Sequence, residues 1–132
     1  MTNRTAACRC GQLKAIVSGD PVRVSACHCL NCKKRSGSAF AVQARWPEDR
    51  VTIEGKSKAF VMVADSGNRG TFHFCPNCGS DVFYTIDGKF DGLVAIPLGA
   101  FDDPYFAKIN YSVYESRKQP WLGAIDAADH YD

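Results

Sequence analysis

GTFHFCPNCGSDVFYTI, residues 70–86, decides how this chain is read. GTFHF (70–74) and DVFYTI (81–86) alternate apolar and polar residues with a period of two, the pattern of half-buried β-strands. Between them, CPNCG has the form of a zinc knuckle. The proline and the following glycine tighten the backbone so that Cys75 and Cys78 converge on one ion, and neighbouring amides can donate to the sulfurs. The stretch is therefore strand, metal-binding turn, strand. A knuckle supplies two ligands and a structural tetrahedral zinc takes four, so a second pair must come from elsewhere.

Outward from this stretch the same alternation continues. QLKAIVSG (12–19), VRVSA (22–26), AFAVQARW (39–46), VTIEG (51–55), KAFVMVA (58–64), LVAIPLG (93–99) and KINYSVYES (108–116) read as further strands. Turn residues separate them at Gly19-Asp20-Pro21, 46–49, Asp65-Ser66-Gly67-Asn68, Asp87-Gly88 and Asp102-Asp103-Pro104. Apolar residues at helical spacing are scarce, and the one expected helical turn lies around residues 30–35. After the last strand a loop follows, with Trp121 expected to pack back onto the body. The fold expected is mainly β, a single domain over 1–132 of antiparallel strands with one short helical turn.

The chain has 132 residues, 45% of them hydrophobic and 23% charged, the range of ordinary globular domains. At this length folding buries roughly two-thirds of the extended chain's surface, enough for a core without disulfides. A net charge of +2 gives no reason to expect nucleic acid or a membrane surface as partner. The first 20 residues, MTNRTAACRCGQLKAIVSGD, lack an unbroken apolar run of the secretory kind, and no window reaches the roughly 20 apolar residues of a spanning helix. A cytoplasmic location is the expectation, where thiols stay reduced. Seven cysteines in such a chain point to metal rather than to disulfides. Monomer and homodimer both remain open.

The cysteines form three groups: Cys8 and Cys10, then Cys27, Cys29 and Cys32, then Cys75 and Cys78. CRCG (8–11) shares the Cys-then-Gly context of the knuckle and can complete its site, leaving the central three as a cluster of their own. The knuckle could instead join two of the central three, leaving Cys8 and Cys10 spare. The first division is preferred because three neighbouring thiols can chelate an ion unaided. The bland alternative is that some of these residues are buried free cysteines acting as small hydrophobes.

Three protein ligands with one exchangeable position is the general form of a catalytic zinc. Three thiolates outweigh the ion's two positive charges and make it a weak Lewis acid, so generating hydroxide is not the natural task of such a site. A soft fourth ligand suits it better, above all a substrate thiol held as thiolate and kept nucleophilic toward carbon.

CRCG (8–11), CHCLNCKKRSGSAF (27–40), FCPNCGSDVFY (74–84), PLGAFDDP (97–104) and the tryptophan of QPWLG (119–123) occur in the order and approximate spacing of the glutathione-dependent formaldehyde-activating enzyme family. The chain resembles that family over nearly its whole length; the family shares its domain with centromere protein V. The resemblance implies a zinc-binding β-tent fold with two zinc ions. Cys8, Cys10, Cys75 and Cys78 match the structural ligands; Cys27, Cys29 and Cys32 match the catalytic ones. The implied chemistry is reversible carbon–sulfur bond formation, glutathione plus formaldehyde giving S-hydroxymethylglutathione, formally a lyase reaction. This chain is more compact than members resembling the formaldehyde enzyme itself, so the thiol and the aldehyde are left open.

Around the cluster, Lys33, Lys34 and Arg35 offset its negative charge and are candidates to hold carboxylates of a glutathione-like thiol; the alternative is a solvated helix face. Phe40, after the Gly37 turn, is a candidate pocket wall, although core packing competes for it and for Phe72, Phe74 and Phe83. His28 is read either as a proton shuttle or sulfur donor, or as a residue turned outward while its cysteine neighbours point in. His73 reads as a packing histidine. Two non-enzymatic functions compete with the lyase: a zinc-stabilised binding module, and a redox sensor that releases zinc when its thiols oxidise.

Overall fold

A computed structural model describes residues 1–64 and 67–132; Asp65 and Ser66, in the turn expected at 65–68, fall outside it. Among the described residues, the expected strands form as β2 (Lys14–Ser18), β3 (Arg23–Cys27), β4 (Ala41–Pro47), β5 (Val51–Glu54), β6 (Lys58–Val63), β7 (Arg69–Phe74), β8 (Asp81–Ile86), β9 (Leu93–Pro97) and β10 (Ile109–Val113). Two strands lie beyond those the pattern picked out, β1 (Asn3–Ala7) and β11 (Ala127–His130). NRTAA and AADH carry almost no large apolar residues. What makes them strands is pairing with a neighbour rather than an apolar face of their own.

β1, β2 and β5 form a small sheet, and the others form an eight-stranded sheet in the order β11-β10-β3-β4-β9-β8-β7-β6. Pairing is antiparallel except at one end. There β10 runs parallel to both β3 and β11, with Tyr111 beside Ser25 and Val113 beside Cys27. These parallel pairings are the exception to the otherwise antiparallel arrangement expected. A parallel partner needs a long connection back, and the chain supplies it by building β4 to β9 before β10 docks on the open edge of β3.

The core lies between the small sheet and the middle of the large one. Leu13, Val17, Trp46, Val82 and Ile96 are fully buried there. Trp46 packs on Phe101 at 5.4 Å between ring centroids and donates from Nε1 to the Gly19 carbonyl at 3.0 Å. Trp121 does not pack back onto the body as expected, being 72% exposed, because Trp46, Phe101 and Phe106 already fill the aromatic part of the core.

β3 and β4 sort their residues strictly by face. Val24, Ala44 and Trp46 enter the core, while Arg23, Ser25, Cys27, Gln43 and Arg45 occupy the opposite face, where they line one recess. The helix α1 (Leu30–Ser36) follows β3 directly. Cys29 caps its start by accepting from the Cys32 amide, and Gly37, at φ 66°, ends it with its N–H donating to the Lys33 carbonyl. Glycine tolerates that left-handed conformation without cost to a side chain. At the far end of the large sheet, β6 is an edge strand. Phe60, Val61, Met62 and Val63 are all more than half exposed, so neither face of this apolar strand is covered.

Candidate functional site

Two turns build the first cluster. Cys8 and Cys10 lie between β1 and β2; Cys75 and Cys78 lie between β7 and β8. Each turn ends on a glycine of positive φ, Gly11 at 84° and Gly79 at 77°, whose amide bonds back to the carbonyl of Cys8 or Cys75. The four sulfurs lie within 4.8 Å of one another. Cys8 and Cys10 are 3.5 Å apart, and Cys10 and Cys75 3.7 Å. Ligands about 2.3 Å from a tetrahedral zinc stand roughly 3.8 Å from each other, so the donor set and its spacing fit the ion. Leu13 N donates to Cys8 Sγ at 3.3 Å, Asn77 N to Cys75 Sγ at 3.3 Å, and Gln12 Nε2 to Cys75 Sγ at 3.0 Å. Such donors favour thiolates. Hydrogen bonding from the Ser80 side chain and backbone holds Cys78 down at about 5.

The second cluster is local. Cys27 ends β3, Cys29 caps α1 and Cys32 lies in its first turn, with all three sulfurs within 4.8 Å of one another. Cys27 and Cys29 approach to 3.3 Å. Among the described residues, no fourth cysteine, histidine or carboxylate joins the group. Hydrogen bonds from Cys27 and Cys29 push the Cys32 thiol down to about 3, and Arg35 adds to the effect. Cys27 is pushed up, first by Cys29 and then by Cys32. Both clusters could hold a metal ion and are compatible with zinc.

His28 is not turned outward. It is fully buried, with Nε2 3.1 Å from Ser112 Oγ. Ser112 in turn donates to Glu115 Oε2 at 2.9 Å, which His130 Nδ1 meets at 3.0 Å. Burial pushes the His28 imidazole down. The reason for its burial is β10: docked beside β3, it covers the side of the chain that His28 would otherwise present to water. His73 packs as read, stacked on Phe83 at 4.3 Å with Nδ1 3.1 Å from Ser57 Oγ.

Two recesses meet at Cys29, Cys32 and Tyr84. One, of about 410 Å³, lies between α1 and β6, β7 and β8, walled by Phe60, Met62, Phe72, Phe74 and Ile86. The other, of about 330 Å³, lies over the polar face of β3 and β4 and includes all three cysteines with Arg23, Gln43 and Arg45. Tyr84, buried between the two, has its hydroxyl pushed up to about 12 by that burial. Arg45 is 5% exposed, donates to Ser25 Oγ at 3.2 Å and stacks 4.2 Å over Phe90. Arg23 stacks 4.2 Å over Tyr111, and burial, then the neighbouring Arg45, lowers its pKa.

Of the basic run after the cluster, Lys34 and Arg35 line the first recess, with Arg35 3.3 Å from Asp81. Lys33 turns away and donates to the Arg117 carbonyl. Phe40 lies 5.7 Å from the His28 ring and faces a separate recess near Pro97 and Pro104. Phe72 and Phe74, read as core, line the first recess. Sequence reading missed Arg23, Gln43 and Arg45. Their signal was present: in RVSAC and VQARW the polar residues fall two apart, on the face that carries Cys27.

A β fold that clips two sheets with four thiols and opens three more to a pair of recesses defines a cysteine-cluster protein able to hold two metal ions. Residues 3–117 match the family described as glutathione-dependent formaldehyde-activating enzyme, and the chain belongs to that family. It is 28% identical over 126 residues to a protein of Penicillium rubens provisionally named a glutathione-dependent formaldehyde-activating enzyme. That match covers 83% of this chain, which spans 65% of the length of that curated relative. The fold is similar to a crystal structure of a Rhodobacter sphaeroides protein, a Northeast Structural Genomics target. The TM-score is 0.57 at 15% identity, covering 74% of this chain and 87% of the other.

Proposed function

We propose that the chain is a zinc-dependent carbon–sulfur lyase-type enzyme that makes or cleaves the adduct of a glutathione-like thiol and a small aldehyde. The observation that carries this reading is the three-sulfur cluster, opened to two recesses and short of one ligand among the described residues. A zinc ion bound there would favour a substrate sulfur as thiolate in the fourth position. Cys27, Cys29 and Cys32 supply the ligands, fixed by the end of β3 and the first turn of α1. Cys8, Cys10, Cys75 and Cys78 hold a second, structural zinc that braces the two sheets. Arg35 and Lys34 offset the anionic cluster from the apolar recess. Lys33 and Phe40 act indirectly, Lys33 by tying α1 to the turn at 115–117 and Phe40 by packing on His28.

The test is zinc stoichiometry followed by X-ray absorption at the zinc edge during a glutathione titration. The reading expects two zinc ions per chain and one additional sulfur at one of them. A single zinc whose coordination ignores thiols would refute it.

A further inference from the structure

Two recesses of opposite chemistry meet at one cluster, and each has its own demand. In the first, cross-strand neighbours stand in rows, with Phe60 beside Phe72 beside Tyr84, and Met62 beside Gly70 beside Ile86. Gly70 leaves a gap in the second row. The Phe72 ring lies over that gap, so near that a Cβ on Gly70 would stand 2.7 Å from it. The hollow walled by these rows and α1, about 410 Å³, is many times the roughly 30 Å³ of a water molecule. A one-carbon aldehyde would leave most of its apolar wall wet, and the wall includes Phe60 and Met62, both more than half exposed.

In the second recess two arginines stand together without an ion-pair partner among the described residues. Arg23 and Arg45 are directly paired across β3 and β4. Among the described residues, neither guanidinium has a carboxylate within ion-pair distance; the pairs found involve Arg4, Arg35, Arg69 and His130. Arg23 Nε is buried without a partner, as is Gln43 Oε1. Buried charges are ordinarily paired, and two adjacent guanidiniums form a fork suited to one carboxylate. Asp132 lines the same recess without pairing to either. Arg45 reaches Ser25, midway along β3 from Cys27 to Arg23, so the cations begin roughly 7–13 Å from the cluster at about 3.3 Å per strand residue.

We propose that the substrate is an adduct with a carboxylate on its thiol half, held by Arg23 and Arg45, and a bulky apolar group of several carbons on its aldehyde half, held between α1 and β6–β8. The proposal rests on the carbon–sulfur reading of the cluster and replaces the small aldehyde of that reading with a larger, apolar one. In the addition direction the S–H bond breaks, sulfur bonds to the carbonyl carbon, and the proton ends on the former carbonyl oxygen. Cleavage is the reverse, and no oxidant or reductant takes part. Gln43 Oε1 accepts an N–H of the thiol half, as a peptide thiol would provide.

Calorimetric titration of the zinc-loaded full chain with glutathione, S-methylglutathione and S-hexylglutathione tests this. Burial of the extra methylenes is expected to make the hexyl thioether bind at least about tenfold tighter than the methyl one. In Met62→Ser and Phe60→Ser that ratio falls toward one. Arg23→Gln and Arg45→Lys weaken all three ligands about tenfold or more while keeping the ratio. Circular dichroism melts identify any variant that fails to fold; if Arg45→Lys does, Arg23→Gln decides. Equal methyl and hexyl affinities overturn the apolar half of the proposal. Unchanged affinities in the folded arginine variants overturn the anionic half. If glutathione binds without either effect, this inference falls alone. If none of the three binds, the carbon–sulfur reading falls with it.

Discussion

Cys75→Ser, set against Cys32→Ser, separates the two clusters by their consequences for stability. Cys75 is fully buried in the core, 3.7 Å from Cys10 across 65 residues of sequence and 3.0 Å from Gln12 Nε2. The four-thiol site therefore joins the turn after β1 to the turn after β7. A structural zinc contributes on the order of 10–16 kcal/mol in small zinc peptides, while a whole domain is stable by about 5–15 kcal/mol. Loss of only a third of the metal's contribution, about 4 kcal/mol, would lower Tm by roughly 15 °C at about 4 °C per kcal/mol for a chain of this size. Cys32 is on a helix of seven residues with no buried side chain, and its loss leaves the clip between the sheets intact. The assay is a circular dichroism melt of zinc-loaded wild type and both variants, with zinc per chain measured on the same samples. Cys75→Ser should be unfolded or melt at least about 15 °C lower, and Cys32→Ser should melt within a few degrees of wild type. A folded Cys75→Ser protein with wild-type Tm would refute the structural role, as would an unchanged melt after chelation.

Gly55 has φ 93°, and a Cβ there would stand 1.9 Å from the Gln12 carbonyl oxygen. Gly55→Ala should therefore cost at least about 1–2 kcal/mol and weaken zinc retention at the knuckle, read by denaturant melts and chelator competition, since Gln12 also donates to Cys75. Leu13 is fully buried, accepts from the Cys8 amide at its carbonyl and donates from its amide to Cys8 Sγ; Leu13→Ala should cost about 2–5 kcal/mol in urea unfolding. Glu115 is held below its ordinary pKa, chiefly by the bond from His130. A carboxylate lower in the folded than in the unfolded state adds stability that is present above the unfolded value and lost as pH falls through the folded one. Urea midpoints of wild type and Glu115→Gln should therefore differ at pH 6 and converge toward pH 3; a constant gap would contradict this.

The sites were more legible than the topology, for a physical reason. Candidate metal ligands are rare residue types, and their grouping as Cys8 with Cys10, Cys27 with Cys29 and Cys32, and Cys75 with Cys78 restricts the possible clusters before any fold is known. Strands announce themselves only where one face is apolar, so β2 and β8 were readable while NRTAA and AADH were not. Nothing in a single strand states its partner. The parallel seat of β10, and with it the burial of His28, follows from which sheet edge stays open. Direction along a short helix was equally hidden: Lys33, Lys34 and Arg35 are adjacent in sequence, yet the first bonds to the Arg117 carbonyl while the others line a recess. Arg23 and Arg45 were missed because each is unexceptional alone; only the pairing of β3 with β4 makes them neighbours.

The place of β10 sets a schedule on the ribosome. Val24, just before the three thiols, bonds to Asn110, 86 residues later. At about 5–20 residues per second, the edge of β3 waits roughly 4–17 s for the strand that covers it. Throughout that interval Cys27, Cys29 and Cys32 are made but not walled. Whichever reaches them first, metal, oxidant or a cellular thiol, meets nascent chain rather than folded protein.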